Sequence, residues 1–199
     1  MVNESRHIGI LLFDGVEELD AVGPWEVLSS WTQSFPEDAV TVSTYSPGGS
    51  AVRCAKGMRI LPDRAIGDAP RMDVFLHPGG WGTRELLRDP DHLALMRALA
   101  ADAEVMTSVC TGSLVYAAAG LLNGRPATTH WESLGLLRQL DPTCTVVEGV
   151  RFVDDGDLIS AAGVSAGIDM ALHLVKRLVS ADRARQVRRD IQYDPEPPV

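Results

Sequence analysis

Cysteine is scarce in this chain, and the cysteines present are not spaced as a set. Of 199 residues only Cys54, Cys110 and Cys144 carry a thiol, and no two stand as C-x-x-C. An odd number without that spacing argues against a disulfide framework and against a zinc site, so no metal is expected. A reducing location, the cytoplasm, fits best. Positive charge is scarce too. The net charge is −9, and residues 8–52 hold seven carboxylates but no Lys or Arg. Nucleic-acid binding rests on neutralising phosphates with basic side chains, so no nucleic-acid partner is expected. The later basic residues Lys176, Arg177, Arg183, Arg185, Arg188 and Arg189 fall on helical sequence and read as a solvated face. No apolar run approaches a membrane span, and residues 8–13 lack the charged flank of a signal peptide, so no membrane partner is expected either. Internal repeats, low-complexity linkers and breaks in composition are absent. One domain over residues 1–199 is the economical reading, with Pro195, Pro197 and Pro198 in a frayed, extended tail.

What is present alternates. Residues 7–13 (HIGILLF) read as a buried strand ended by Asp14-Gly15. A helix is predicted to start near Gly23-Pro24, since Pro suits a first turn, and to continue through Trp31. Residues 39–45 read as a strand, and residues 51–53 and 58–61 as a hairpin around Lys56-Gly57. Residues 73–77 form the next strand, closed by Pro78-Gly79-Gly80, and residues 91–101 a helix. A strand over 104–109 runs into a small-residue helix over 113–122, and a further helix covers 131–140. Short strands follow at 145–147, 150–153 and 158–160, then helices at 165–179 and 181–191. Strands that keep alternating with helices predict an α/β fold with a mostly parallel sheet covered on both faces.

The strongest chemical signal is Ser108-Val109-Cys110-Thr111-Gly112-Ser113. A β-branched strand runs into Cys110 and a small-residue helix leaves from it. That is the pattern of a nucleophile elbow, a tight turn that exposes one side chain above the sheet. The positive end of the helix is expected to lower the thiol's pKa. Negative charge that develops during attack needs donors, and backbone N–H groups supply them. Thr111 and the Gly79-Gly80 turn are the expected sources, because glycine lets backbone approach a ligand closely. Cys54 and Cys144 lack such a setting and read as structural or interfacial.

Five segments then occur in one order. They are Leu76-His77-Pro78-Gly79-Gly80, the Cys110 segment, Ala118-Ala119-Gly120-Leu121-Leu122-Asn123-Gly124, Ala127-Thr128-Thr129-His130-Trp131 and Ser165-Ala166-Gly167-Ile168-Asp169. Together they resemble the ThiJ/PfpI superfamily, which is class I glutamine amidotransferase-like, and within it the isonitrile hydratases. The similarity runs from Ile8 to Tyr193-Asp194-Pro195. It implies a flavodoxin-like three-layer sandwich, a homodimer, a small-molecule substrate and no cofactor. It also implies an acidic residue near the cysteine, just after the first strand, and Asp20 takes that place. Residue patterns alone do not choose Asp20 over Asp14, Glu17 or Glu18.

The implied pair is chemically sensible. A carboxyl beside a thiolate resists ionising, so Asp20 and Cys110 would share a proton and titrate together. Asp20 would serve as general acid, then as general base. Cys110 would attack the isonitrile carbon, and water would release a formamide from the resulting thioimidate. The Thr111 hydroxyl would hold the substrate nitrogen or the water. An apolar pocket is expected, with Trp25, Trp81 and Trp131 as candidate walls. His130 is either a participant or a hydrogen-bonded structural histidine. His77 stands where relatives more often have an apolar residue. Two alternatives stay open. One is a glyoxalase-like enzyme using the same pair on reactive carbonyls. The other is a stand-alone sensor, since the same domain senses ligands in AraC-type regulators. Those regulators add helix-turn-helix units that are not found here.

Overall fold

The computed structural model describes residues 5–195, so Pro197 and Pro198 of the expected tail lie outside the described residues. The chain opens with β1 (Arg6–Leu11), α1 (Glu18–Ser34), β2 (Val40–Ser46), β3 (Val52–Arg53), β4 (Arg59–Ile60) and β5 (Arg64–Ala65). The middle is β6 (Val74–His77), α2 (Thr83–Leu86), α3 (Pro90–Asp102), β7 (Val105–Val109) and α4 (Gly112–Ala118). It continues as β8 (Pro126–Ala127), α5 (Leu134–Leu140), β9 (Thr145–Val146), β10 (Phe152–Asp154), β11 (Leu158–Ala161), α6 (Ala166–Leu178) and α7 (Ala181–Asp190).

Seven strands form one sheet in the order β10-β11-β7-β6-β1-β2-β5, parallel except for β10. Helices α1, α6 and α7 pack together on one side, and α2, α3, α4 and α5 on the other. This is the expected flavodoxin-like sandwich. Its central strands are buried on both faces, which is why they read as continuous apolar runs. Ile8, Ile10, Val74, Phe75, Leu76 and Val109 are all fully buried. Each such side chain removed from water contributes about 1.5–3 kcal/mol. The register pairs Ile10 with Leu76 and His77 with Ser108, so the carboxyl ends of β1, β6 and β7 reach the same edge of the sheet.

Several boundaries differ from the sequence reading. Helix α1 begins at Glu18, not near Pro24, and Pro24 sits inside it. The missing proline N–H costs a helix hydrogen bond. Packing outweighs that cost: Pro24 is buried against α6 at Gly167, where a Cβ would lie 3.0 Å from the Pro24 ring. The earlier start places Asp20 in the first turn. Helix α4 ends at Ala118, and Gly120 turns the chain at φ +78°. Residues 131–140 split into a single 3-10 turn, Trp131–Ser133, and α5. Strand β9 pairs with β8 outside the main sheet. Residues 150–153 shift to β10, whose register is set by the tight turn at Gly156. Strand β5 and helix α2 had no signal in the apolar pattern, being only two and four residues long.

Candidate active site

The sheet order reverses between β1 and β6, and the loops at the strand ends diverge there to leave a crevice. Cys110 enters it from the end of β7. Its φ is +56°, a left-handed conformation that costs a non-glycine residue energy. The surrounding backbone enforces it. Cys110 N–H donates to the carbonyls of Ala161 and Ala162 at 3.1 and 3.0 Å. Its carbonyl accepts from the hydroxyls of Thr129 at 2.8 Å and Ser113 at 3.2 Å. Gly112 is required next, because a Cβ there would lie 2.2 Å from the His77 carbonyl oxygen.

Asp20 lies behind the cysteine and is fully buried. Its Oδ2 accepts the Gly79 N–H at 2.9 Å. Its other oxygen has no hydrogen-bond partner among the described residues, and the Cys110 thiol is the neighbouring acid that acts on the carboxyl, easing its ionisation. Burial pushes Asp20 up to about 7; the Gly79 N–H opposes this, and the charge of Glu17 adds to it. Burial pushes Cys110 up to about 12, and the negative charge of Asp20 adds to that. The expected lowering by α4 is therefore overturned: the helix has only seven residues, and exclusion of water dominates. Two backbone N–H groups, of Thr111 and Val164, act in the opposite direction on the sulfur. The charge of Asp20 disfavours ionisation of the thiol, whereas the thiol eases that of Asp20, so the two titrate as a coupled pair.

The glycines contribute differently from the sequence reading. Gly79 N–H is committed to Asp20 and Gly80 N–H to Thr111 Oγ1 at 3.0 Å, so neither is aimed at a developing anion. Their part is to allow close approach. A Cβ on Gly79 would lie 2.5 Å from the Thr111 nitrogen and 2.8 Å from Asp20 Oδ2. The Thr111 hydroxyl is occupied as well. It accepts from Gly80 N–H and the Thr83 hydroxyl and faces the Gly80 carbonyl at 3.3 Å, so it braces the turn rather than reaching for substrate. Its N–H is the group that serves the sulfur.

His130 lines the cleft but makes no hydrogen bond to Cys110 among the described residues. Its Nδ1 accepts the Glu132 N–H at 3.3 Å, which assigns the ring proton to Nε2. His77 is fully buried, and its Nε2 meets His92 Nε2 at 2.9 Å while Nδ1 donates to the Pro78 carbonyl. All three cysteines are free. No group of His, Cys, Asp and Glu among the described residues is placed to hold a metal ion, and no described helix is long and apolar enough to cross a membrane.

A cleft of about 440 Å³ opens over Cys110. It is not the expected apolar pocket: Glu17, Lys56, Arg84, His130 and Glu132 all line it. Trp81 lines it and is 73% exposed. Trp131 faces an adjoining hollow beyond His130, and Trp25 a separate one. Sequence reasoning missed Val164, Lys56 and Arg84. Val164 carries no signal, since its φ of +48° is imposed by the fold. Arg84 had a weak one, lying four residues after Gly80 in the short segment that follows a site strand, where the structure forms α2.

A flavodoxin-like α/β sandwich with a buried cysteine–carboxyl pair at its sheet edge is the class that fold and site define. Residues 6–177 match the DJ-1/PfpI family, and the chain belongs to it. It is 41% identical over 98% of its length to an isonitrile hydratase of Pseudomonas putida, covering 81% of that protein. It is 31% identical over 86% of its length to the HTH-type transcriptional regulator GbdR of Pseudomonas aeruginosa, but spans only 46% of the regulator. Among solved structures, a ThiJ/PfpI family protein from Pseudomonas syringae superposes with a TM-score of 0.88 at 32% identity. That alignment covers all of this chain and 79% of the other.

Proposed function

We propose that this chain is an isonitrile hydratase-like enzyme, a cysteine-dependent hydro-lyase that converts R–N≡C and water to R–NH–CHO. The observation that carries the reading is the buried, electrostatically coupled Asp20–Cys110 pair in a chain 41% identical to an isonitrile hydratase. In the first half-reaction Asp20 takes the Cys110 proton as sulfur attacks the isonitrile carbon. That carbon's lone pair then takes the proton from Asp20, giving the thioimidate R–N=CH–S–Cys110. In the second half-reaction water adds to the same carbon. Asp20 removes one of its protons and the nitrogen gains one, giving R–NH–CH(OH)–S–Cys110. Loss of the hydroxyl proton forms the carbonyl as the C–S bond breaks, and sulfur recovers its proton. The Thr111 and Val164 N–H groups stabilise the sulfur while it is anionic. Acid–base help of this kind contributes about 10²–10⁴-fold.

The test is to mix the protein with para-nitrophenyl isonitrile and measure the formamide, with Cys110→Ala alongside. Wild type is expected to turn over and the variant to be inactive while still folded. Normal turnover by the variant overturns the nucleophile. Consumption of methylglyoxal but not of isonitrile moves the reaction to reactive carbonyls. Likeness to GbdR supports a ligand-sensing domain instead, and inertness toward both substrates would favour it. The homodimer is part of the proposal: exposed Leu19, Val22, Met58 and Leu61 suit a second copy, and size-exclusion chromatography tests it.

A further inference from the structure

We propose that Arg84 makes the cleft selective for isonitriles that carry a carboxylate, its guanidinium gripping that group while Cys110 takes the isonitrile carbon; this rests on the hydratase reading above. Arg84 lies on α2 and lines the cleft with Cys110. Its Nη1 donates to the Gly80 carbonyl at 3.2 Å and to the Thr83 hydroxyl at 3.1 Å. Both acceptors are neutral. Nε and Nη2 make no hydrogen bond among the described residues, and Arg84 takes part in no ion pair there. The other cation of the cleft, Lys56, is neutralised by Glu17. Arg84 is thus the cation of this cleft that has no carboxylate partner among the described residues, and it keeps Nε and Nη2 free to donate. A guanidinium offers a planar fork that a carboxylate meets with two parallel hydrogen bonds.

Its position is held from two sides. The guanidinium carbon stands 4.8 Å over the Trp81 ring, which is itself exposed and in no need of cover. Gly80 O, which anchors Nη1, lies 3.3 Å from the Thr111 hydroxyl, one residue from the nucleophile. Two hydrogen bonds therefore connect Arg84 to the residue beside Cys110, and both side chains line the same cleft of about 440 Å³. The opposing charges do not cancel it. Glu17 is paired with Lys56, and Glu132 sits beside His130 with its side chain 65% exposed.

The experiment compares 4-carboxyphenyl isonitrile with phenyl isonitrile on wild type, Arg84→Met and Arg84→Lys. Wild type is expected to favour the acid in kcat/KM by about tenfold or more, mainly through KM. Arg84→Met should bring the ratio of the two substrates near one, and Arg84→Lys should restore part of it. A ratio near one in wild type, or one that Arg84→Met leaves intact, overturns the proposal. Binding is read separately, by protection of the Cys110 peptide from iodoacetamide, measured by mass spectrometry. Benzoate should protect wild type but not Arg84→Met, and benzamide should protect neither. Protection by benzoate with no isonitrile turnover would leave the anion site standing and remove the hydratase reading. Absence of protection together with a ratio near one removes the anion site and leaves the hydratase reading untouched.

Discussion

Asp20 and Glu17 stand three residues apart at the start of one helix, and the two carboxylates meet opposite conditions. Glu17 lines the cleft, where Lys56 pairs with it. Asp20 is fully buried, holds one N–H donor from Gly79, and rises to about 7. At the rim a cation pairs with the carboxylate; at the floor the absence of water disfavours its charge. The same contrast separates Arg84, with donors to spare, from Cys110, whose thiol burial pushes up to about 12. The proposed reaction assigns the chemistry to the floor and the selection of substrate to the rim.

Asp20→Asn breaks this contrast most severely. Activity should fall by about 10²–10⁴-fold, since the proton carrier is lost, while the amide oxygen still accepts the Gly79 N–H. Stability should move the other way. The native carboxyl titrates near 7 rather than 3.8, so between those values the folded state binds more protons than the unfolded chain. Stability therefore falls as pH rises through this window, by as much as ~4 kcal/mol at pH 8. The variant escapes that cost. Urea melts should show it more stable than wild type at pH 8, with the gap narrowing as pH falls toward 4. A variant that is destabilised at pH 8 would show that Asp20 is not under strain.

The floor was partly legible in the sequence and the rim hardly at all. Cys110 stood out because a β-branched strand runs into it and small residues leave it, a pattern that local sterics produce. Glycines 79 and 80 were visible as a turn, but their N–H groups turn out to serve Asp20 and Thr111, a matter of tertiary direction. Asp20 needed the family resemblance, because four carboxylates follow β1 and only burial separates them. Pro24 misplaced the helix start, since its packing on Gly167 depends on residues far away in the chain. Val164, on a loop, and Arg84, on α2, reach the site only through the folded path of the chain. The parallel sheet was readable throughout, because full burial on both faces leaves continuous apolar runs.

Gly79→Ala probes the contact between floor and turn. The added Cβ meets the Thr111 nitrogen and the Asp20 carboxylate, neither of which is the far end of a flexible chain. Overpacking of this kind costs about 1–3 kcal/mol, and displacement of the pair should lower kcat by tenfold or more, up to about 10²-fold. Gly135→Ala is the matched control. Its Cβ would meet nothing within 4 Å, and it lies in α5, so a gain of roughly 0.5–1 kcal/mol with unchanged kcat is expected. Equal effects at the two glycines would mean that the close approach at Gly79 has no bearing on the site.

The smallest effect joins the two regions through charge alone. The pair acts when it holds one proton, so kcat/KM should rise as pH increases through about 7, where the doubly protonated pair loses its first proton. Glu17 raises Asp20, and Lys56 lowers it. Glu17→Gln removes the first influence and frees Lys56 to exert the second more fully. Both changes act in one direction, so the rising limb should move to lower pH, by roughly a few tenths of a unit for a partly screened charge at the cleft. The plateau rate should hold, because Glu17 is at the rim and moves no proton in the reaction. A limb that stays in place would show that the floor is insulated from the rim, and one that moves to higher pH would assign it to a group other than Asp20.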